Sequence, residues 1–292
     1  MIIFLSLLSI PFTYSFFTNN TPKRWVSWWY ACDNNWPQTI DIIKNTTINT
    51  VTSVQTYCGW TVADNGTIIG STSSQCQAFF NELIKLGSYP ELTLDSGNCS
   101  IDSYRMLWKD TVYSPQILLQ AALAVNASGW NIDLEPQGDN CKSGGTGTAA
   151  DAVLFASWLA AVRSVLNKQN VRLTVDVASW SPVLSQYATL APSVDRLQNM
   201  ETYNGDSESQ WLSYYEPFLN AVPLDKVGVG LGVWNDSNPS SWWETPAGGQ
   251  TKIMYAIKDN VPELACFRLD PETNPIWPLQ FWWPLLENYS TS

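Results

Sequence analysis

The stretch of this chain richest in chemistry is Gly129-Trp130-Asn131-Ile132-Asp133-Leu134-Glu135-Pro136, where polar and apolar residues alternate. Successive side chains of an extended strand point to opposite faces, so Asn131, Asp133 and Glu135 share one face while Trp130, Ile132 and Leu134 share the other. Two carboxyl groups two positions apart lie about 6 to 7 Å from each other. At that range one negative charge raises the pKa of the other group and keeps one of them protonated near neutral pH. Such a pair supplies a proton donor, Glu135, and a negative stabiliser, Asp133. An arbitrary Asp-X-Glu reads most simply as a rim salt bridge. Here Pro136 stops the strand directly after the acid and leaves Glu135 in an opening rather than in a core. The chain contains no histidine, which excludes histidine triads, histidine metal sites and histidine bases, and leaves carboxylates to do acid-base work.

The elements that must hold these groups alternate between strand and helix. Candidate strands run over 25–30, 50–57, 91–94, 129–134, 171–177, 196–203, 226–233 and 263–269, and helical patterns over 74–86, 114–125, 149–167, 207–222, 251–259 and 279–288. Ser114-Pro115 and Ser207-X-X-Gln210 carry helix-start chemistry. Eight strands separated by helices predict an α/β fold, a single (β/α)8 TIM barrel, and the length suits that fold's usual size of about 250 residues. On this reading the acids stand at the carboxyl end of the fourth strand, the end at which the chemistry of such barrels is placed.

Residues 1–16 form an uncharged apolar run followed by Lys23 and Arg24, which predicts a secretory signal, with the barrel over 17–292 and no other span long and apolar enough to cross a membrane. Six cysteines and acceptor sequons at Asn19, Asn45, Asn65, Asn98, Asn126, Asn235 and Asn288 fit an oxidising, glycosylating compartment. The cysteines admit fifteen pairings. A formal charge of −11 without a basic cluster argues against nucleic acid and anionic membranes. No phosphate loop, Cys-X-X-Cys or other cofactor signature is present, so no cofactor or metal is expected. The expected partner is a polysaccharide or oligosaccharide bound by a monomer. Sixteen tryptophans and twelve tyrosines gather where strands end, and aromatic faces stack on sugar rings as well as fill cores. Trp28, Trp29, Trp60, Trp180 and Trp234 are candidate sugar platforms, with Tyr30 and Asp176 as weaker candidates.

Ser128-Gly-Trp-Asn131-Ile-Asp133-Leu-Glu135 resembles the fourth-strand signature Asp-X-X-Asp-X-Asp-X-Glu of glycoside hydrolase family 18, the chitinase and endo-N-acetylglucosaminidase family. The last two acids match, and Ser128 and Asn131 stand where the pattern has Asp. The resemblance implies that Glu135 protonates the leaving oxygen while Asp133 orients the substrate acetamide, whose carbonyl attacks the anomeric carbon, the substrate-assisted exception to the two-carboxylate scheme. Glu201-Thr202-Tyr203-Asn204 is similar to the family's sixth-strand segment. It implies that Tyr203 holds the acetamide carbonyl and that Asn204 contacts sugar, while strand alternation would aim Glu201 and Tyr203 inward together. Asn131 and Glu201 join the candidate substrate contacts. Leu94-Asp95-Ser96-Gly97 matches the third-strand Ser-X-Gly-Gly only in part. The family's eighth-strand tryptophan is absent, which leaves Trp277 to supply it. Only about thirty residues separate Val233 from the eighth strand, too few for the α+β insertion domain of many chitinases, so the cleft should be open. The expectation is endo-acting cleavage of β-1,4-linked N-acetylglucosamine glycans with retention. The alternatives are a lectin-like barrel without turnover and a glycosidase on another sugar that pairs Glu135 with Glu201 or Asp176.

Overall fold

The computed structural model describes residues 24–31, 34–97, 100–136, 145–202, 205–233, 244–269 and 279–292. Its strands are β1 (Trp25–Ala31), β2 (Ser53–Val62), β3 (Ile68–Ile69), β4 (Tyr89–Asp95), β5 (Gly129–Asp133), β6 (Arg172–Val177), β7 (Arg196–Asn199), β8 (Val227–Gly232) and β9 (Glu263–Phe267). All but β3 are parallel neighbours in chain order, and β1 pairs with both β2 and β9 to shut the ring. The result is a (β/α)8 barrel with eight parallel strands, while β3 pairs antiparallel with the end of β2. Around it lie α1 (Trp36–Lys44), α2 (Ser74–Leu86), α3 (Ile101–Lys109), α4 (Tyr113–Ala124), α5 (Ala149–Leu166), α6 (Tyr187–Leu190), α7 (Glu208–Ala221), α8 (Pro246–Lys258) and α9 (Trp283–Thr291). Caps stand where the residue types allow them: the Ser73 hydroxyl accepts from the Cys76 amide, and Gly87 ends α2 at φ 84°. The Ser207 hydroxyl accepts from the Gln210 amide to start α7.

The barrel interior is polar and closes on itself. Arg172 pairs with Glu91 at 2.8 Å and with Glu263, Arg196 pairs with Glu263 at 2.9 Å, and both carboxylates are fully buried. Buried charge is tolerable only when paired and hydrogen-bonded in this way. Burial pushes the Glu263 carboxyl upward, but the two guanidiniums with Ser27 and Gln198 outweigh it and hold the group below its ordinary range. The chain of contacts continues upward, from Gln198 donating to Glu263 at 2.7 Å to Gln55 donating to Gln198 at 2.8 Å. Gly129 begins β5 because a Cβ there would stand 2.9 Å from Cγ of Glu91. The outward strand faces are apolar. Trp130 on β5 and Trp28 on β1 are fully buried, and their indole N–H groups donate to the carbonyls of Leu118 and Thr50 at 2.8 and 2.7 Å.

Two features differ from the sequence reading, and a disulfide that it left open is placed. The sixth barrel strand ends at Asn199 rather than Tyr203, and Met200–Thr202 form a 3-10 turn. The Thr202 hydroxyl donates to the Asn199 carbonyl at 2.7 Å and accepts from the Gly230 amide at 2.6 Å, and the Asn199 side chain accepts from the Glu201 amide. These local bonds offer the backbone an alternative to the ladder, so strand alternation does not govern Glu201. One further helix, Ala149–Gln169, is long and apolar enough by composition to cross a membrane. Its Phe155, Trp158, Leu159 and Val162 are buried in the shell of the barrel, where Phe155 stacks on Trp108 at 4.7 Å. Finally, Cys58 and Cys76 form a disulfide tying β2 to the first turn of α2, and Cys266 on β9 is a buried free thiol.

Candidate active site

A pocket of about 440 Å³ opens at the carboxyl ends of the strands, and Asp133, Glu135, Asp176 and Glu201 line it together with Trp29, Trp180, Met200, Tyr214 and Phe267. Gln55 and Gln198, the upper members of the interior network, also border it. Register explains the carboxyl cluster. Asp95 at the end of β4 is the direct neighbour of Asp133 on β5, and the pairing of Ile132 with Val175 sets Asp133 beside Asp176 on β6. Three aspartates thus stand side by side on adjacent strands, with Glu135 just beyond the end of β5. Ser96 fastens that end: its hydroxyl accepts from the Glu135 amide at 2.6 Å and donates to the Asp133 carbonyl at 3.1 Å.

Burial and mutual repulsion raise the pKa values of the three aspartates. Asp133 is 8% exposed, and its carboxyl is pushed well above the ordinary aspartate range by burial first, then by the charges of Glu135, Asp176 and Asp95. Asp176, 6% exposed, is pushed well above it by burial as well. The Asn131 amide favours its charged form, while Glu135, Glu91 and Glu263 disfavour it. Asp95 is raised by burial and partly restored by the Ser96 amide. A buried group of acids whose pKa values are raised in this way holds its protons to higher pH than free carboxyls do, the property that a proton donor to a leaving oxygen requires. Among the described residues no set of three or more Cys, Asp or Glu has the arrangement of a metal site.

The other sequence candidates fall into three groups. Trp29 and Trp180 line the pocket, and Trp180 presents 41% of its surface. Glu201 lines it too, yet its carboxylate accepts from the backbone amides of Ser179 at 2.8 Å and Trp180 at 3.1 Å. It therefore holds the turn carrying Trp180, whereas a direct sugar contact had been expected of it. Three candidates stand outside the lining of the pocket. Trp28 points away from the pocket and meets Trp283 edge-on at 5.5 Å. Asn131 is fully buried below the pocket, donating to Thr174 and Gln198. Trp60 follows a register shift in β2, lies edge-on to Trp130 at 5.8 Å and donates to Thr72. Tyr30, the weaker candidate, is buried against Phe79. Tyr203, Asn204, Trp234 and Trp277 lie outside the described residues. Sequence reasoning passed over Phe267, whose ring meets Trp29 at 5.3 Å. Alternation from the inward Glu263 through Ala265 would have found it. Ser96 carried no signal beyond its partial motif, and Tyr214 comes from α7, where no strand rule applies.

By sequence, no family model and no curated protein matches the chain. By structure it is similar to the spore cortex-lytic enzyme SleL of Bacillus cereus, with a TM-score of 0.70 and 13% identity over 92% of this chain and 75% of that one. A chitinase from Chromobacterium violaceum superposes with a TM-score of 0.64 and 11% identity, covering 92% of this chain and 99% of the other. A family 18 chitinase from Pseudoalteromonas aurantia does so with 0.62 and 13%, covering 84% and 94%. The fold is that of a divergent family 18 chitinase-like barrel. The chain covers nearly all of both chitinases, which agrees with a barrel lacking a large insertion.

Proposed function

We propose that the protein is a secreted glycosidase that cleaves β-1,4-linked N-acetylglucosamine glycans, of the chitin or N-glycan-core type, with retention at the anomeric carbon. The observation that carries this reading is the placement of Asp133 and Glu135 together in one open pocket at the carboxyl end of a barrel strand. Glu135 protonates the glycosidic oxygen. Asp133, with a buried carboxyl oxygen that has no hydrogen-bond partner among the described residues, receives the acetamide N–H and turns its carbonyl toward the anomeric carbon. The carbonyl oxygen attacks as the leaving group departs with the Glu135 proton, forming an oxazolinium ion. Glu135, now a carboxylate, takes a proton from the water that opens this ion with the original configuration. Tyr203 steadies the acetamide carbonyl in this scheme. Trp29, Trp180 and Phe267 offer the apolar faces on which sugar rings stack. Secretion is supported by the apolar leader, by the Cys58–Cys76 bond and by the exposure of Asn45, Asn65, Asn126 and Asn288.

The test is hydrolysis of chitooligosaccharides and high-mannose N-glycans, with the product anomer read by NMR within the first turnovers. Retained configuration on either substrate is the expected result; intact substrates across the pH range would refute it. A second reading rests on Asp176 in the same pocket, which could serve as an ordinary carboxylate partner of Glu135. Cleavage of glycosides lacking an N-acetyl group would favour it, and glycan binding without any cleavage would favour a lectin-like barrel.

A further inference from the structure

We infer that Asp176 is the positioning partner of Asp133, supplying from β6 the second carboxyl that position 131 does not provide from β5, and that the two side chains share one proton. The inference rests on the reading of Asp133 as the acetamide-orienting group and adds to it the residue that sets its state.

The geometry begins with register. The ladder pairs Asn131 with Thr174 and Ile132 with Val175, so the next pair along is Asp133 with Asp176, on strands about 4.8 Å apart. Both line the pocket, and both are more than nine-tenths buried. One Asp133 carboxyl oxygen is buried without a hydrogen-bond partner among the described residues, which leaves it for a substrate N–H. Among the described residues, the other elements facing Asp176 bring no lysine or arginine to it. They present Asn131 and Asp133 from β5 with Glu135 just past its end, Gln198 as its register partner on β7, and the Glu91 and Glu263 charges from across the barrel. Arg172 and Arg196 are bound to Glu91 and Glu263 at the lower end of the strands. Of the lining residues described, none is a lysine or arginine.

Two buried carboxyls so placed cannot both be charged, and a single proton between them is the favoured state. When the acetamide N–H arrives, the proton passes from the Asp133 oxygen to the Asp176 oxygen. Asp133 becomes the carboxylate that accepts the N–H, Asp176 becomes the acid that donates to Asp133, and no proton leaves the pair. Position 131, where the resembled pattern has an aspartate, instead carries an amide that stabilises the Asp176 carboxylate. In this chain the second acid is moved one strand sideways.

The experiment compares the parent, D176N, D176A and N131D/D176A, with Tm confirming that each is folded. Aspartate carboxyl 13C NMR on the free protein reads the proton without any need for turnover. In the parent, Asp133 and Asp176 should titrate in two well-separated coupled steps. In D176N, Asp133 should lose the step it shares with Asp176 and titrate at lower pH, because one negative neighbour has been removed while Glu135 and Asp95 remain. On chitooligosaccharides, D176N should lose on the order of tenfold or more in kcat with KM little changed, and its alkaline limb should move to lower pH. N131D/D176A should regain activity over D176A. An Asp133 titration unmoved in D176N, a kcat loss with an unmoved pH profile, or a folded double variant no better than D176A would each overturn the inference. If the parent cleaves nothing, the proposed activity fails, and the NMR titration alone still decides whether the proton is shared.

Discussion

Ser96→Ala removes a single oxygen that joins β4 to the backbone on both sides of Leu134. The hydroxyl accepts from the Glu135 amide at 2.6 Å and donates to the Asp133 carbonyl at 3.1 Å. A typical hydrogen bond contributes about 1 kcal/mol net, and a partly buried amide left without its acceptor costs about 1 kcal/mol or more. The expected loss is therefore about 2 kcal/mol, which corresponds to a Tm decrease of about 4 to 8 °C for a chain of this size. The larger effect should be on rate. Glu135 lies past the last residue of β5, so without this tether its backbone is less firmly placed, and a displacement of its carboxyl by about 1 Å costs about 100-fold in turnover. Calorimetry and steady-state kinetics on a chitooligosaccharide separate the two effects, and Ser96→Thr, which keeps the hydroxyl, should recover most of both. A fall in Tm with kcat unchanged would refute the claim that Ser96 positions the acid. It would leave the serine as a strand-to-strand fastener only.

Arg172→Met should destabilise the barrel by about 3 to 5 kcal/mol, since it leaves Glu91 and Glu263 buried with one guanidinium fewer; urea unfolding measures this, and a loss below 1 kcal/mol would show that the interior network is dispensable. Asp133 and Asp176 have folded-state pKa values well above those of an unfolded chain. Their contribution is fully present below about pH 4 and is lost as pH rises through the folded values. Asp133→Asn should consequently raise Tm at pH 8 and not at pH 4, and equal shifts at both would contradict the assignment. Trp180→Ala should raise KM about fivefold with kcat retained, equivalent to about 1 kcal/mol of ring stacking. An unchanged KM on long and short oligosaccharides would remove Trp180 from the sugar path.

The barrel was legible because its signal is periodic. Apolar runs such as Val171–Val177 and the patterned 149–167 segment report burial on one or both faces, and those elements appear within a few residues of where the pattern places them. The helices Trp36–Lys44 and Ile101–Lys109 were missed because each is only nine residues long, too short for the periodic signal to stand out. At the site, alternation sufficed to bring Asp133 and Glu135 into one pocket. Glu201 reaches the same pocket by another route, from a 3-10 turn that side-chain bonds of Asn199 and Thr202 hold and that alternation does not foresee. Alternation misjudged Trp28, since a tryptophan near a strand end reads alike whether its ring faces the pocket or a helix, and facing is decided by parity of register. The cross-strand row of Asp95, Asp133 and Asp176 was not visible at all, because no local pattern in one strand reports which residue of the next strand stands beside it.

The most direct measurement is kcat/KM for a chitooligosaccharide with the parent protein and with Glu135→Gln, from pH 4 to 8. Loss of about 100-fold or more in the folded variant, at every pH, is the predicted result. Cleavage by Glu135→Gln at the parent's rate would contradict the assignment of Glu135 as the proton donor.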